Sequence, residues 1–168
     1  IGSGCVLNVK GFFKELLQLQ KAGIDTSLVK IAKNCHLITQ NHLEEDVKDE
    51  KIGTTKRGNG PAYRDKYGRK GVRAIEDVRL QSYIISMYHE LYENEEFEDI
   101  EILFEGAQGF GLDIDWGDYP YVTSSHCTVG SALLNGVPPK ALRDIWGVAK
   151  IYETYVGAKD FEGPYEDF

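Results

Sequence analysis

The sequence predicts an α/β domain spanning residues 1–168, and three observations carry that expectation. Helical and strand-like patterns alternate along the chain, as they do in α/β folds. The apolar run Ile100 to Phe104 breaks at Gly106 into a glycine-rich loop, the kind of strand end at which open α/β sheets bind ligands. Hydrophobic residues make up 42% and charged residues 27%, ordinary values for a globular domain with a core.

The first element expected is a helix over Val6 to Ala22. Asn8 is a candidate N-cap. Phe12, Phe13, Leu16, Leu17 and Leu19 supply an apolar face, and Gly23 a stop. His36-Leu-Ile-Thr39 reads as a short strand. His36 and His42 flank it, but no third ligand is spaced to complete a metal site, so surface or half-buried histidines are expected. The mixed charges of Glu44 to Lys51 read as a solvated helix face or loop.

The stretch Ile52-Gly-Thr-Thr-Lys-Arg-Gly-Asn-Gly-Pro-Ala-Tyr63 carries the first chemical signal. Its glycines can expose backbone N–H groups, Thr54 or Thr55 can donate a hydroxyl, and Lys56 and Arg57 add positive charge. An anion cradle and a mobile surface loop both fit this composition. It is not a P-loop, because no G-x-x-x-x-G-K-[ST] occurs. A basic segment follows (Arg64, Lys66, Arg69, Lys70, Arg73), standing out in a chain of net charge −8. That balance argues against a general nucleic-acid binder but allows a small phosphorylated ligand. Val72 to Tyr92 reads as the longest helix, with Leu80, Ile84, Met87 and Leu91 facing the core and His89 facing solvent. Glu93 to Asp99 reads as an acidic connector.

The second signal runs from Phe104 to Ser125. Gly106, Gly109 and Gly111 are candidates for a close approach to a ligand or for positive φ. Gln108 can donate and accept. Asp113 and Asp115 invite a glycosidase reading, but such chemistry needs two carboxyls straddling a bond, so loop ordering ranks first and Mg²⁺ ligation through one oxygen second. Thr123, Ser124 and Ser125 suit phosphate better than nucleophilic catalysis, since no G-x-S-x-G elbow exists. Thr128 to Asn135 reads as a short helix ended by Gly136, Val137-Pro-Pro139 as a turn, and Trp146 to Tyr155 as a further strand. Lys159 to Phe168 is an acidic tail without periodicity.

Cys5, Cys35 and Cys127 make an odd set without zinc or disulfide spacing, which points to reduced thiols in the cytoplasm. No apolar run is long enough for a membrane span, and no signal peptide is visible. The chain does not begin with Met, so a piece of something longer is expected.

These stretches, Gly53-Thr-Thr-Lys-Arg-Gly-Asn-Gly-Pro-Ala-Tyr63 above all, resemble the G-T-T-x-R-G-I-G-P-A-Y signature of the adenylosuccinate synthetases. Phe104-Glu-Gly-Ala-Gln-Gly109, Leu112-Asp-Ile-Asp115 and Tyr119-Pro-Tyr-Val-Thr-Ser-Ser125 resemble the second signature, in the same order. Ile1-Gly-Ser-Gly-Cys-Val-Leu7 is similar to I-G-N-G-V-V-L, and Val156-Gly-Ala158 to part of R-V-G-A-G-P-F. The resemblance implies the central part of a mainly parallel sheet flanked by helices, a P-loop-NTPase-like family fold incomplete in this chain. It also implies a cytoplasmic homodimer that joins aspartate to inosinate with GTP and Mg²⁺. By position, Thr55 and Thr123 would bind the substrate 5′-phosphate, and Arg69 would reach it in the partner subunit. Gln108 would contact the purine near the reacting oxygen, and Val156 would offer backbone near the ribose.

The family's glycine-rich loop with its catalytic Asp, Lys and following His, its aspartate-binding loop and its guanine-reading residues have no counterpart here. A central fragment, inactive by itself, is therefore expected. The stretch between Arg73 and Ile100 is also shorter than in bacterial enzymes, as in archaeal members and a phage branch that joins aspartate to deoxyguanylate with ATP. Lys56 stands for Gly, Asn59 for Ile, Asp118 for Thr, His126 for Asn, Tyr155 for Arg and Lys159-Asp160 for Gly-Pro. These departures keep the phage-type activity in play, beside a non-catalytic nucleotide-binding module.

Overall fold

The computed structural model of the chain describes residues 1–93, 101–152, 154, 155 and 157–159. Strand β1 (Val6–Leu7) runs directly into helix α1 (Val9–Lys21). Asn8 makes the switch: its side chain accepts a 2.9 Å hydrogen bond from the Gly11 N–H, a cap that stabilises a helix by about 1 kcal/mol. At the other end Gly23 takes φ +78°, and the Gly23 and Ile24 N–H groups bond back to Gln20 and Leu19, closing a Schellman turn. Val9, Phe12 and Leu16 are buried; Leu17 and Leu19, expected on the same face, point outward. The true face is i, i+3, i+7, and its aromatic end packs Phe12 and Phe13 edge-on against Tyr83 at 5.2 and 6.0 Å.

Strand β2 (Ile31–Ala32) and strand β3 (His36–Leu37) follow. β3 pairs in parallel with β1, and β2 with β4 (Ile84–Ile85). Ile31, Ala32, Cys35, Ala74 and Leu80, all at 0% exposure, form the centre of the core with α1 against it. The histidines beside β3 depart from expectation: His36 and His42 are both buried.

The expected helix over Val72 to Tyr92 does not form. The chain makes two 3₁₀ segments, Ala74–Glu76 and Val78–Tyr83, then β4 and a π turn, His89–Glu93. Asp77 caps the second segment by accepting from the Arg79 N–H at 2.9 Å. Pairing of Ile84 and Ile85 with Ile31 and Ala32 then forces extended backbone where the periodicity asks for helix. The apolar stripe keeps its role, because Leu80 is fully buried and Ile84 and Met87 pack on the core. His89 faces solvent.

Helix α2 (Gln40–Lys48) and helix α3 (Asn59–Tyr67) pack against each other and carry the first signature between them. In the later half, helix α4 (Gly130–Leu134) forms where expected, ended by Gly136 at φ +94°. Two expected strands are overturned at their described residues. Residues 101–104 and the described part of 146–155 carry no strand pairing, with Leu103 91% and Val148 100% exposed. A strand without a neighbour leaves its backbone N–H and C=O groups unpaired, and none of the four strands described lies beside them. Ile100, the connector residues 94–99 and the tail residues 160–168 lie outside the described residues. Among those described, no helix is long and apolar enough to cross a membrane.

Candidate functional site

The loop between α2 and α3 is built around one buried carboxylate. Asp46, on the charge run expected to be solvated, is 4% exposed. It accepts from the Thr54 hydroxyl at 2.9 Å and from the Gly58 N–H at 2.7 Å, so it fixes both ends of the Thr54–Gly58 turn. Inside the turn the Thr54 hydroxyl oxygen accepts from the Lys56 N–H at 3.2 Å. Gly53, Lys56 and Gly58 all have positive φ, at +67°, +56° and +77°. Only glycine is at ease there, and a Cβ on Gly58 would lie 2.8 Å from the Ile38 Cγ2 methyl. Thr55, Lys56 and Arg57 therefore stand outward on a pinned loop.

A second contact fixes the helices beneath. The His42 Nδ1 accepts from the Thr39 N–H at 3.1 Å, which leaves the proton on Nε2, 3.1 Å from the Asp65 carboxylate on α3. His42 is thus a structural link between α2 and α3. Arg64 adds an exposed pair with Glu45.

Two further signature segments close on this loop. The Ala158 N–H donates to the Ile52 carbonyl at 3.0 Å, and a Cβ on Gly53 would meet the Ala158 N at 2.8 Å. A Cβ on Gly60, at the start of α3, would lie 3.4 Å from the Ser124 hydroxyl. The Tyr155 hydroxyl donates to the Tyr121 carbonyl at 3.3 Å, and Lys159 pairs with Asp118. The loops bearing Thr55 and Thr123 thus meet at the N-terminus of α3. The Ile1–Cys5 turn is tied to the same helix: Lys66 Nζ donates to the Ser3 and Gly4 carbonyls at 3.0 and 2.9 Å, and the Tyr63 hydroxyl to Gly4 at 3.2 Å. Asn135 accepts from the Gly4 N–H at 2.7 Å and fills the space beside Gly2 and Gly4. Burial pulls the Lys66 amine below its ordinary value, against the pull of the neighbouring Cys35 and Cys5, and pushes the Tyr63 phenol up to about 12. Both serve as fixed donors.

The other expected site residues are placed differently. Gln108 is exposed and itself takes φ +59°. Gly106, Gly109 and Gly111 do not have positive φ, and a Cβ on any of them would meet nothing within 4 Å. The strained position is the amide residue and not its glycines. Arg69, with φ +60°, is exposed past the far end of α3, about 13 Å of helix from the pinned loop. Val156 lies outside the described residues.

Asp113 orders its loop, the first-ranked expectation. It is 0% exposed; one oxygen accepts from the Asp115 and Trp116 N–H groups at 3.0 and 3.2 Å, the other from the Cys127 N–H at 2.6 Å. Burial pushes its carboxyl up, but these N–H donors outweigh it and hold the group below the usual range. A carboxylate so engaged cannot flank a sugar, which removes the glycosidase reading. The same test applies to Mg²⁺. Asp113, Asp115 and His126 bring one ligand atom each within 4.8 Å of one another. However, Asp113 is fully buried and already spends three of its acceptor sites on the Asp115, Trp116 and Cys127 N–H groups, so the cluster serves its own loop first. Burial, with the Asp113 charge, pushes the Cys127 thiol up to about 11, away from the thiolate form that a nucleophile needs.

Asp46, Lys66 and Asn135 were not legible as site-building residues, since each acts on a partner distant in sequence. Only the i, i+4 spacing of His42 and Asp46 on one helix face hinted that α2 has an inward side.

Together these features define a class, an α/β protein in which a clasped, cation-bearing glycine loop is met by a hydroxyl-rich loop at one helix N-terminus. The family model described as adenylosuccinate synthetase matches residues 1–96 and 77–167, and the chain belongs to that family. The adenylosuccinate synthetase of Thermodesulfovibrio yellowstonii is 38% identical over 213 positions, covering 98% of this chain and 49% of the relative. That of Listeria welshimeri is 36% identical over 214 positions, with the same coverage. The chain spans about half the length of the curated relatives it matches. An alignment of 213 positions on a chain of 168 residues means that the relative carries extra residues within the span, and the two matched segments meet at 77–96. Among solved structures, fully ligated adenylosuccinate synthetase from Plasmodium falciparum superposes with a TM-score of 0.80 at 28% identity, covering 95% of this chain and 48% of that one. The cyanophage S-2L succinoaminodeoxyadenylate synthetase bound to dGMP and dATP has a TM-score of 0.70 at 24% identity, covering 84% and 41%, a likeness of fold alone.

Proposed function

We propose that this chain supplies the monophosphate side of a purine-nucleotide ligase joining aspartate to the 6-position of inosinate. The observation that carries the reading is the meeting of the Thr55 and Thr123 loops at the N-terminus of α3. Hydroxyls, backbone N–H groups and two cations there suit a phosphate. Thr55 and Thr123 hold the 5′-phosphate, and Val156 offers backbone to the ribose. Arg69 serves the partner subunit of a homodimer; its place at the other end of α3 supports a role away from its own loop. Gln108 is the catalytic residue at the purine oxygen, and its left-handed backbone supports a constrained functional position.

The chemistry follows from leaving-group quality. A 6-oxo oxygen leaves poorly. Transfer of the terminal phosphoryl of GTP to it creates a 6-phosphoryl intermediate; the aspartate amine then attacks C6, and inorganic phosphate departs with the oxygen. This chain's residues hold the acceptor still and place an amide beside the developing charge. The phosphoryl donor and Mg²⁺ are held by residues outside this set. The fold likeness to a synthetase bound to dGMP and dATP, with the shortened 73–100 stretch, favours deoxyguanylate with ATP as the second reading.

Aspartate-dependent phosphate release from the protein of the complete reading frame tests both. Inosinate and deoxyguanylate are each tried with GTP and with ATP. Release with inosinate and GTP upholds the first reading. Release only with deoxyguanylate replaces it with the second. Binding without release leaves a non-catalytic nucleotide-binding module.

A further inference from the structure

We propose that Cys5 and Cys35 form a thiol-modification site, a dithiol that low-molecular-weight disulfides convert reversibly into a disulfide between the two. The inference is independent of the monophosphate reading. Spacing along the sequence pairs no two of the cysteines, and all three are free thiols in this structure. The fold supplies the pairing. β1 and β3 run in parallel with Val6 opposite His36 and Leu7 opposite Leu37, so one step back Cys5 stands opposite Cys35. The ladder reaches that step, because the His36 N–H donates to the Cys5 carbonyl at 3.4 Å. Neighbouring strands lie about 4.7–4.9 Å apart, inside the span of about 4.4–6.8 Å between Cα atoms that a disulfide bridges. Residues opposite one another send their side chains to the same face. The Cys35 thiol already lies against its neighbour, donating to the Cys5 carbonyl at 3.5 Å. Lys66 on α3 feels both thiols, which places them on one patch.

The two thiols differ in access. Cys35 is 0% exposed and Cys5 is half-buried. Burial pushes the Cys35 thiol up to about 12, so it carries little thiolate. Cys5 is therefore the sulfur that an oxidant meets first. Its thiolate attacks one sulfur of a disulfide RSSR, the Cys5 mixed disulfide forms, and RS⁻ departs and takes up the proton that Cys5 released. Cys35 then attacks the Cys5 sulfur, and the second RS⁻ departs with the Cys35 proton. Two protein thiols are oxidised to one disulfide, and one RSSR is reduced to two RSH. Scarce thiolate at Cys35 is offset by position, since the second step is intramolecular. The bond ties β1 to β3 at the end of the Ile1–Cys5 turn, whose Ser3 and Gly4 carbonyls hold Lys66 and Tyr63 of α3.

Peptide mapping of the folded protein of the complete reading frame tests this. The protein is incubated with excess glutathione disulfide, its remaining thiols are alkylated, and it is digested without reduction. The wild type should yield the peptides carrying Cys5 and Cys35 linked to each other and two hydrogens lighter than their sum, and dithiothreitol should separate them. Cys35→Ala should leave Cys5 as the mixed disulfide with glutathione. Cys5→Ser should leave Cys35 as a free thiol, because the oxidant does not reach it. Three results in the wild type overturn the proposal, and none of them depends on a variant that folds. They are Cys5 and Cys35 both alkylated as free thiols, Cys5 halted at the glutathione mixed disulfide, and either cysteine linked to Cys127 instead.

Discussion

Two glycine-rich loops look alike in the sequence, 53–60 and 106–111, and the structure uses them in opposite ways. In the first, two of the three glycines have positive φ, and added Cβ atoms on them would strike Ile38 and the Gly157–Ala158 backbone. In the second, every glycine borders open space, and the strained residue is Gln108. The first loop is fixed from below by Asp46; the second is fixed at one remove, through Asp113 and the strand-like contacts from Leu112 to Thr123 and from Ile114 to Ser125. A glycine cluster thus reports that a loop exists. Whether the glycines are needed depends on what comes close to them.

Substitutions can break that contrast. The largest effect is expected for Gly58→Ala, which combines left-handed strain with a 2.8 Å approach to Ile38 and should cost about 2–3 kcal/mol in urea unfolding. Asp46→Asn follows at about 2 kcal/mol, because an amide offers one acceptor where the carboxylate serves two donors. Inosinate affinity should fall with it, and a Thr54→Val, Asp46→Asn double variant should cost less than the sum, which a double-mutant cycle measures.

The second loop has its own signature in acid. The Asp113 pKa in the folded protein is held below the unfolded value of about 3.9, so its contribution is present above that pH and is lost as pH falls through the folded value. Asp113→Asn should flatten the acid limb of the unfolding midpoint below about pH 4 and lower the midpoint at pH 7, where its amide N–H₂ meets the Cys127 N–H. Gln108→Ala, in the protein of the complete reading frame, should leave stability unchanged and lower turnover far more than inosinate affinity; equal losses in both would remove the catalytic role proposed for it. The smallest effect is expected for Gly109→Ala, within about 0.5 kcal/mol of wild type, since nothing lies near the added methyl. A large loss there would show that the second loop is packed as closely as the first.

Parts of the fold were legible for local reasons. Asn8, the apolar face of α1 and Gly23 each act within a few residues, so the helix could be placed to within three residues. The helix expected over 72–92 failed because β4 pairs with β2, some fifty residues earlier, a constraint no local period contains. The strands expected at 100–104 and 146–155 failed for the converse reason: their apolar runs are real, but no partner lies beside their described residues. In the site, residue types left Thr54 and Thr55 open and offered Thr123 only within a hydroxyl cluster, so the resemblance alone singled out Thr55 and Thr123; Asp113 was legible as a loop-ordering carboxylate, because its N–H donors Asp115 and Trp116 lie two and three residues away.

The sequence by itself determined the membership of this chain in its family and the order of its signatures, since those are strings of residue types. It also determined the local caps and turns, whose hydrogen bonds span three or four residues. Only the tertiary structure decided which charges are buried, which glycines are required and which motifs meet. Asp46, Lys66 and Asn135 hold partners between 8 and 131 residues away. Such contacts are set by burial and by the need to satisfy each buried polar group, which depend on the folded neighbourhood and not on the neighbouring letters.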